Sequence, residues 1–431
     1  NLKHLICMDE QTDENTINKV IKKGEELIKQ GNTEFLNAKI NEKDLAVLIF
    51  TSGTTSASKA VMLSQYNIAK NIHDMLMVEK FKSSDVNIAF LPYHHAFGST
   101  GQLVMLASGI QTVFPDGLKY IGQNLKEYGV TVFVGVPKLI EAIYDRVNKE
   151  IEKQGKTKLI KTAKLFTNFL LKCKIDVIRK AYKKIINNLG GLRFVISGAA
   201  ALNKDVANGF YELGIETVQG YGLTECSPLV AGNTDFYQKD DAAGLPIPNV
   251  EYKINNPNDE GVGEIIVKGP NVMLGYYNME DETNKVLVDG WFHTGDLGKI
   301  DENGYLYITG RCKSVIVTKN GKNIYPEEVE HYLNDSPLIA ESLVQGIHKE
   351  NDDETYVNAQ IFPNIEAITE YLKGTVPTKA EIKKIISDVI SNVNKKMPTY
   401  KHIKNFVIRD KEFEKTTTKK IKRYGNNLKN D

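Results

Sequence analysis

The stretch Thr51-Ser-Gly-Thr-Thr-Ser-Ala-Ser-Lys59 gathers hydroxyl side chains around one glycine and ends on a lysine. Hydroxyls and bared backbone N–H groups donate hydrogen bonds to phosphate oxygens, Gly53 lets the backbone come close, and Lys59 adds a full positive charge. A Ser/Thr-rich surface turn would have the same composition, but such turns seldom follow a run as apolar as residues 46–50. The stretch therefore reads as a polyphosphate cradle. It is not a Walker A loop: the spacing Gly-x4-Gly-Lys-Ser/Thr is absent, and an apolar segment rather than a helix start follows Lys59. That excludes an ordinary kinase or GTPase arrangement.

Other residues could act beside it. In Gly220-Tyr-Gly-Leu-Thr-Glu225, Tyr221 offers an aromatic face, Thr224 a hydroxyl and Glu225 a hard carboxylate oxygen suited to magnesium, although the hexapeptide alone could be a β-turn. Asp296 sits in a turn where it could cap local backbone. Lys420 is a long cation in a basic stretch that could equally be a solvated tail.

These residues need a scaffold. A chain of 431 residues, 41% hydrophobic and 25% charged, has the balance of a soluble globular protein of two or three structural units. Lys plus Arg number 55 against 54 Asp plus Glu, so net charge gives no warrant for a nucleic-acid partner. Cys7, Cys173, Cys226 and Cys312 form no C-x-x-C pair, which disfavours a zinc site and a disulfide framework and points to a reduced, cytoplasmic setting. No apolar run reaches the roughly 18 to 20 residues that span a bilayer, and the start lacks signal-peptide character. Opening on Asn1, the chain is expected to have lost its beginning.

Periodicity predicts a short strand at 2–8, a helix whose face carries Ile17, Val20, Ile21, Leu27 and Ile28, and a buried strand at 46–50. Ser64 is the expected N-cap of a helix bearing Ile68, Ile72 and Leu76. Strand-like runs at 88–91, 111–114, 130–134 and 192–197 alternate with helical stretches, the pattern of an α/β domain on a largely parallel sheet. From about 235 to 310 the texture becomes β-rich. After Arg311 it turns α+β, with helices near 326–334 and 379–392, and residues from Lys415 on are expected to be mobile. Residues 146–184 hold thirteen Lys or Arg against three acids, with an apolar stripe through Leu159, Phe166, Phe169 and Leu170. They form either a solvated helical pair packed on the large domain or a patch for peripheral contact with an anionic membrane, at the inner surface of the cell.

Taken in order, the loop at 51–59, Leu91-Pro-Tyr-His-His-Ala-Phe-Gly98, Ser197-Gly-Ala-Ala-Ala201, Gly220 to Glu225, Gly290-Trp-Phe-His-Thr-Gly-Asp296 through Arg311, and Lys415-Thr-Thr-Thr-Lys-Lys-Ile-Lys-Arg423 resemble the adenylate-forming superfamily. That superfamily includes acyl-CoA synthetases, firefly luciferases and the adenylation domains of peptide synthetases. The resemblance covers residues 45–423 and implies an adenylation domain at 1–312, with its β-rich subdomain, and a small mobile lid at 313–431. Family members carry a long segment ahead of the loop, so the N-terminal part of their fold is expected to be missing here.

By resemblance, Thr51, Ser52, Gly53, Thr54, Thr55, Ser56 and Lys59 hold the phosphates of ATP. Gly198, Ala199 and Ala200 form a floor for adenine. Gly220, Tyr221, Gly222, Leu223 and Thr224 meet adenine, the α-phosphate and the acyl carboxylate, and Asp296 and Arg311 take the ribose. Glu225 with Thr54 is the implied magnesium site, Lys313 the hinge, and Gly321 part of the CoA path. His95, Gly135, Val136 and Cys226 are assigned to the acyl pocket. Lys420, Thr224, Glu225 and Lys59 are the implied catalytic set. The family pattern Thr-x-Thr-Gly-Lys-Ile has Lys419 in place of Gly, which leaves Lys419 and Lys420 as alternatives, and Ala60 stands where Gly is usual.

The implied chemistry joins a carboxylic acid to AMP with release of pyrophosphate, then passes the acyl group to CoA. The run ending Glu225-Cys-Ser-Pro228 and the basic insert before Leu192 resemble bacterial long-chain fatty acyl-CoA synthetases. Acyl carrier protein is the alternative acceptor, and a non-catalytic nucleotide-binding relative the alternative class.

Overall fold

The computed structural model describes residues 4–8, 15–51, 58–172, 178–234, 239, 241–319, 321–348, 355–416, 420–423 and 425–428. It falls into two compact units, Asn1–Asp44 and Leu45–Asp431. In the first, Thr16 accepts from the Lys19 N–H and caps the helix Ile17–Lys29, as the periodicity predicts. The strand expected at 2–8 reduces, among the described residues, to a single bridge between Cys7 and Thr16.

The second unit is mixed α/β. Its largest sheet has seven strands in the spatial order Gln111–Val113, Val86–Ile88, Val132–Gly135, Phe194–Ser197, Glu216–Gly222, Leu229–Gly232 and Leu245–Pro246. The first five are parallel and the last two antiparallel. Parallel strands are buried on both faces, which is why they read as continuous apolar runs. Helices cover the sheet, and Ile88, Phe133, Ile140, Val195 and Phe210 share its core.

One expectation fails here. The apolar run at 46–50 lies in the strand Leu45–Thr51, but it does not join the parallel sheet. It pairs antiparallel with Lys59–Ser64, which also pairs with Gly275–Tyr276, and only Ile49 of the run is buried. Phe50 is 64% exposed. An unbroken apolar run cannot by itself distinguish a two-faced strand from one covered on one side.

The helix Gln65–Val78 starts where expected. Ser64 and Asn67 form a reciprocal capping box, the Asn67 side chain taking the place more often held by Glu. The same helix then fastens the next layer. The Asn71 side chain donates to the Leu229 carbonyl at 2.8 Å and accepts from the Leu229 N–H at 3.1 Å, and Asn67 reaches the carbonyls of Pro270 and Val272.

The β-rich texture resolves into a five-stranded antiparallel sheet of Glu251–Asn255, Gly263–Lys268, Leu287–Val288, Trp291–Ile300 and Leu306–Arg311. Beyond it, residues between Ile316 and Ile408 build a core of their own around Val329, Leu333, Ala359, Ile361 and Ile386. That core combines the strands Ile339–His348, Thr355–Pro363 and Asn405–Ile408 with the helices Pro326–Asn334 and Lys379–Asn394.

The C-terminal stretch is a second correction. Its described residues are tied down: Lys415 bridges Ile421, Arg423 pairs with Glu330 and Glu327, and the buried Asn427 side chain donates to the carbonyls of Glu414 and Lys422. Polar composition predicts mobility only when the polar groups lack partners. In the basic stretch, Ile160 and Ala163 face the core while Leu159, Leu165 and Phe166 are exposed. The side chains of Phe169 and Leu170 lie outside the described ones. No described helix is long and apolar enough to cross a membrane.

Asn71 is a direct probe of the packing behind the site. Replacing it by Ala removes two hydrogen bonds and leaves a backbone donor dry, and should lower the unfolding free energy by about 2–3 kcal/mol. Urea denaturation followed by the single tryptophan, Trp291, measures this; a loss below about 0.5 kcal/mol would contradict the buried pairing.

Candidate functional site

In an open α/β sheet the carboxyl ends of the parallel strands are where loops of different strands converge. The strand Phe194–Ser197 ends there and runs into Gly198. A Cβ at Gly198 would lie 2.7 Å from the tip of the Phe97 ring, so only glycine lets that ring approach the backbone here, and the Gly198 N–H donates to the Gly135 carbonyl at 3.2 Å. Ala199 follows at φ +74, a left-handed conformation that costs a residue with a Cβ, and Ser197 Oγ is buried without a hydrogen-bond partner. Local strain and an orphaned hydroxyl mark this turn as shaped for something other than packing.

The neighbouring strand Glu216–Gly222 ends in the Gly220 to Glu225 motif. A Cβ on Gly222 would sit 2.1 Å from the Pro228 carbonyl oxygen, so only glycine fits this close approach. The Leu223 N–H donates to that same carbonyl at 2.9 Å, and a short 3-10 turn, Thr224–Cys226, delivers Thr224 and Glu225.

Tyr221 Oη donates to Asp296 Oδ2 at 2.9 Å, and Arg311 Nε lies 3.1 Å from Asp296 Oδ1. Asp296 and Arg311 are direct cross-strand partners in the antiparallel pair Trp291–Ile300 and Leu306–Arg311, which is how residues fifteen apart in sequence meet. Asp296 is only 6% exposed. Burial, with the Asp296 charge beside it, pushes the Tyr221 hydroxyl well above the ordinary phenol range, so Tyr221 is a fixed donor. Behind Asp296, Glu264 accepts from the Gly295 N–H and pairs with His293 at 2.7 Å.

Lys420 reaches the same place from the far end of the chain. Its pKa is lowered, first by desolvation and then by the Arg311 charge, with Asp296 opposing. The residue is nonetheless exposed to solvent. Two contacts to Thr416 hold it: Thr416 N–H donates to the Lys420 carbonyl at 2.8 Å, and Lys420 N–H donates to Thr416 Oγ1 at 3.2 Å. Lys419 lies outside the described residues.

The cradle is seen at its mouth, where Thr51 pairs with Lys59 and Ser58 Oγ donates to the Thr51 carbonyl. Ser52, Gly53, Thr54, Thr55 and Ser56 lie outside the described residues. Lys59 Nζ is 2.6 Å from Glu282 and 4.5 Å from the Tyr276 ring centroid, and Tyr276 Oη donates to Glu225 Oε1 at 3.0 Å. Tyr276 thus links the lysine of the loop to Glu225. Desolvation is the main cause that raises the Glu225 pKa; the Tyr276 hydrogen bond pulls it down. Neither Tyr276 nor Glu282 stood out in the sequence. Tyr276 reads as one aromatic in a Tyr pair, and Glu282 as a charge on an exposed helix face.

The structure also brings His95, Gly135 and Val136 to this end of the sheet. Burial, then the adjacent His94, lowers the His95 pKa, so its ring favours the neutral form. A narrow pocket beside it is lined by Phe90, Leu91, Phe97, Gly98 and Val134. It lies between the strands Val86–Ile88 and Val132–Gly135, where the strand order reverses direction. Cys226 is not brought there in the same sense: it is fully buried among Val61, Val230 and Met273, with its thiol pKa well above the ordinary value through burial. Lys313 is exposed in the turn Cys312–Ser314, and Gly321, at φ +71, lies at an exposed hairpin turn.

No three His, Cys, Asp or Glu among the described residues could enclose a metal ion. Glu225 offers a single hard carboxylate with one oxygen held by Tyr276. That donor set fits magnesium, which takes one or two protein carboxylates and completes its shell with water and phosphate oxygens.

The sequence profile of the AMP-binding enzymes matches residues 3–277, more than half the chain, and that of the AMP-binding enzyme C-terminal domain matches residues 313–426. The chain belongs to the AMP-binding enzyme family. Among curated proteins of this adenylate-forming superfamily it is 30% identical over 421 residues to a long-chain fatty acid–CoA ligase of Mycobacterium bovis, covering 90% of this chain and 68% of that one. A rat long-chain fatty acid–CoA ligase is 32% identical over 337 residues, 72% of this chain and 50% of the relative. Among solved structures, ATP-bound MatB of Rhodopseudomonas palustris superposes with a TM-score of 0.69 at 27% identity, covering 89% of this chain and 68% of that one. The o-succinylbenzoate CoA synthetase of Bacillus subtilis, solved with ATP and magnesium, shares the fold at 22% identity and TM-score 0.67, covering 90% and 71%. This AMP-binding enzyme is thus an acid–CoA ligase of the AMP-forming kind.

The raised Glu225 pKa has a consequence for stability. A carboxyl whose folded pKa lies above its unfolded value destabilises the fold as pH rises from the ordinary carboxylate range through the folded pKa. Glu225→Gln should therefore raise the melting temperature of the ligand-free protein at pH 8, with the gain shrinking toward zero near pH 4. Calorimetry at both pH values measures it; a lower melting temperature at pH 8 would contradict the burial argument.

Proposed function

We propose that this AMP-binding enzyme activates a long-chain fatty acid to the acyl-adenylate and transfers the acyl group to CoA. The carrying observation is the convergence of Tyr221, Asp296, Arg311 and Lys420 at one end of the sheet, with Glu225 beside them. Its support for the fatty acid is the similarity to long-chain fatty acid–CoA ligases.

In this reading Tyr221 stacks on adenine above the backbone of Gly198, Ala199 and Ala200, and Asp296 and Arg311 hold the ribose hydroxyls. Gly220, Gly222 and Leu223 shape the wall, Thr224 binds the α-phosphate, and the loop from Thr51 to Lys59 holds the outer phosphates. To do so Lys59 exchanges Glu282 for phosphate oxygens. Magnesium, when bound at Glu225 and Thr54, supplies neutralisation of the polyphosphate charge. The acid enters past His95, Gly135 and Val136, with Cys226 behind them in the core.

A carboxylate oxygen attacks the α-phosphorus and pyrophosphate leaves from the opposite side. Lys420 places its ammonium between the entering oxygen and the α-phosphate, where the cation offsets charge that grows in the transition state. The lowered Lys420 pKa follows from the crowding needed to bring it there; the nucleotide's phosphates restore the favour for the charged form. For the second step, residues 313–431 rotate about Lys313 as a lid. The turn at Gly321 then lines the path of the CoA thiol, which attacks the acyl carbonyl as AMP leaves.

Lys420→Ala should cut pyrophosphate release with ATP and oleate by about a hundredfold or more while sparing thioester formation from supplied oleoyl-adenylate. Lys419→Ala having that effect instead would move the role one residue. Absence of pyrophosphate release over short, medium, long and aromatic acids would overturn the enzyme reading in favour of a nucleotide-binding relative, and a thioester on acyl carrier protein but not on CoA would change the acceptor.

We further propose that the helix Thr157–Lys172 rests on anionic membrane. Exposed Leu159, Leu165 and Phe166 alternate with exposed Lys158 and Lys161, the arrangement of a shallowly inserting cationic face. Leu165→Asp with Phe166→Asp should reduce sedimentation with phosphatidylglycerol vesicles by about tenfold; unchanged binding would return this face to the solvated reading.

A further inference from the structure

Glu341 is 5% exposed, near the start of the strand Ile339–His348, at a register irregularity between Ile339 and Glu341. A buried carboxylate is costly unless paired. Here Oε1 receives two ammonium groups, Lys138 Nζ at 2.9 Å and Lys415 Nζ at 2.6 Å, while Oε2 is buried without a hydrogen-bond partner. The two lysines come from distant parts of the chain. Lys138 stands on the first turn of the helix Pro137–Lys153, one turn beyond Gly135 and Val136. Lys415 stands at the foot of the turn that carries Lys420.

The described residues on its two sides are tied together. Lys415 bridges Ile421, and Lys422 N–H donates to the Glu414 carbonyl at 2.9 Å. Displacing Lys415 therefore displaces Lys420. Beyond Lys420 the chain is fastened again, where Arg423 pairs with Glu330 and Glu327 and donates to the Val344 carbonyl at 3.2 Å. Both fastenings downstream of Lys138 lie within the part of the fold built by residues 316–428. Among these fastenings, Lys138 is the one that carries the attachment across to the large sheet.

We infer that Glu341, gripping Lys138 and Lys415 together, is a positioning residue that holds Lys420 over the site for adenylate formation. The inference rests on the role proposed for Lys420. Burial alone would pull the Lys415 ammonium down, but Glu341 and Glu412 outweigh it and its pKa is raised, so Lys415 keeps its charge in the pair. The grip is also releasable. Lys138 is 61% exposed along its side chain, so water can take its place without opening an apolar core. A contact that must form for one half-reaction and part for the other is well served by such a pair.

The test uses this chain with Lys138→Met, Lys138→Arg and Glu341→Gln. Two measurements are made. Hydrogen–deuterium exchange over residues 415–423 reads the fastening without reference to activity. ATP–pyrophosphate exchange with oleate, and thioester formation from supplied oleoyl-adenylate and CoA, read the two half-reactions. Lys138→Met should speed deuterium uptake in 415–423 and lower kcat for pyrophosphate exchange by about three- to tenfold, with KM for ATP within about twofold and the thioester step not slowed. Glu341→Gln should lower it further, by about ten- to a hundredfold, because Lys138 and Lys415 both lose the carboxylate that joins them, Lys415 keeping only Glu412. Lys138→Arg should restore the original rate to within about twofold. Unchanged uptake in both Lys138→Met and Glu341→Gln would overturn the inference, as would equal slowing of both half-reactions. An unaltered chain inactive with every acid would overturn the function proposed for Lys420, while the uptake data still decide the fastening.

Discussion

A carboxylate that is nearly out of water needs partners, and Asp296 draws its own from two separate sheets. Tyr221 reaches it from the last parallel strand, and Arg311 from the antiparallel neighbour. Removing an ion from water costs several kcal/mol, so these partners are not optional. Meeting that demand fixes the orientation of the five-stranded sheet against the seven-stranded one. It also leaves Asp296 poised: two donors occupy it, one of them charged and 41% exposed, so a hydroxyl-bearing ligand can share it without first displacing buried protein.

Other groups around it are held in states that packing alone would not choose. Ala199 sits at positive φ, Ser197 Oγ lacks a partner, Glu225 is desolvated beside a single phenol, and Lys420 feels the like charge of Arg311. Each of these is unfavourable in isolation by the ordinary rules of strain and burial. They cluster at one end of one sheet, while the sheet's interior, from Ile88 to Phe210, is ordinary apolar packing. A protein can carry such local cost when the surrounding core is sufficient. Lys59 is the counterpart: its pairing with Glu282 holds a cation near the cradle in the absence of phosphate.

What the sequence made legible divides along physical lines. The parallel strands at 132–135 and 194–197 declared themselves as apolar runs, and Ser64 as a cap, because those signals are local. The Asp296 and Arg311 pairing came from motif resemblance; the register that brings them face to face is set by the bulge in their hairpin, which no periodicity reveals. Tyr276 was invisible because its importance lies in two contacts, Lys59 and Glu225, that are both more than fifty residues earlier in the chain. The strand Leu45–Thr51 was misjudged because an apolar run states what a residue prefers, not what the fold supplies to cover it. The basic C-terminus was misjudged for the converse reason: Arg423 and Asn427 are polar, yet both find distant partners.

The junction near residue 312 follows from the same electrostatics. The core around Val329 and Ile361 is apolar and closed on itself, whereas the cores around Ile88 and around Val61 lie wholly before it in sequence. What passes between them is polar: Lys138 to Glu341, Tyr325 to Asn258, Arg311 against Lys420. Apolar contact is non-directional and grows with area, so a large greasy junction would hold one arrangement with many kcal/mol. Ion pairs that water can reach are worth about a kilocalorie each and fix geometry more than they fix stability. A cation carried on such a junction is held accurately while the pairs persist and is given up cheaply when they part, and that combination is what the two successive reactions proposed for this cleft would require.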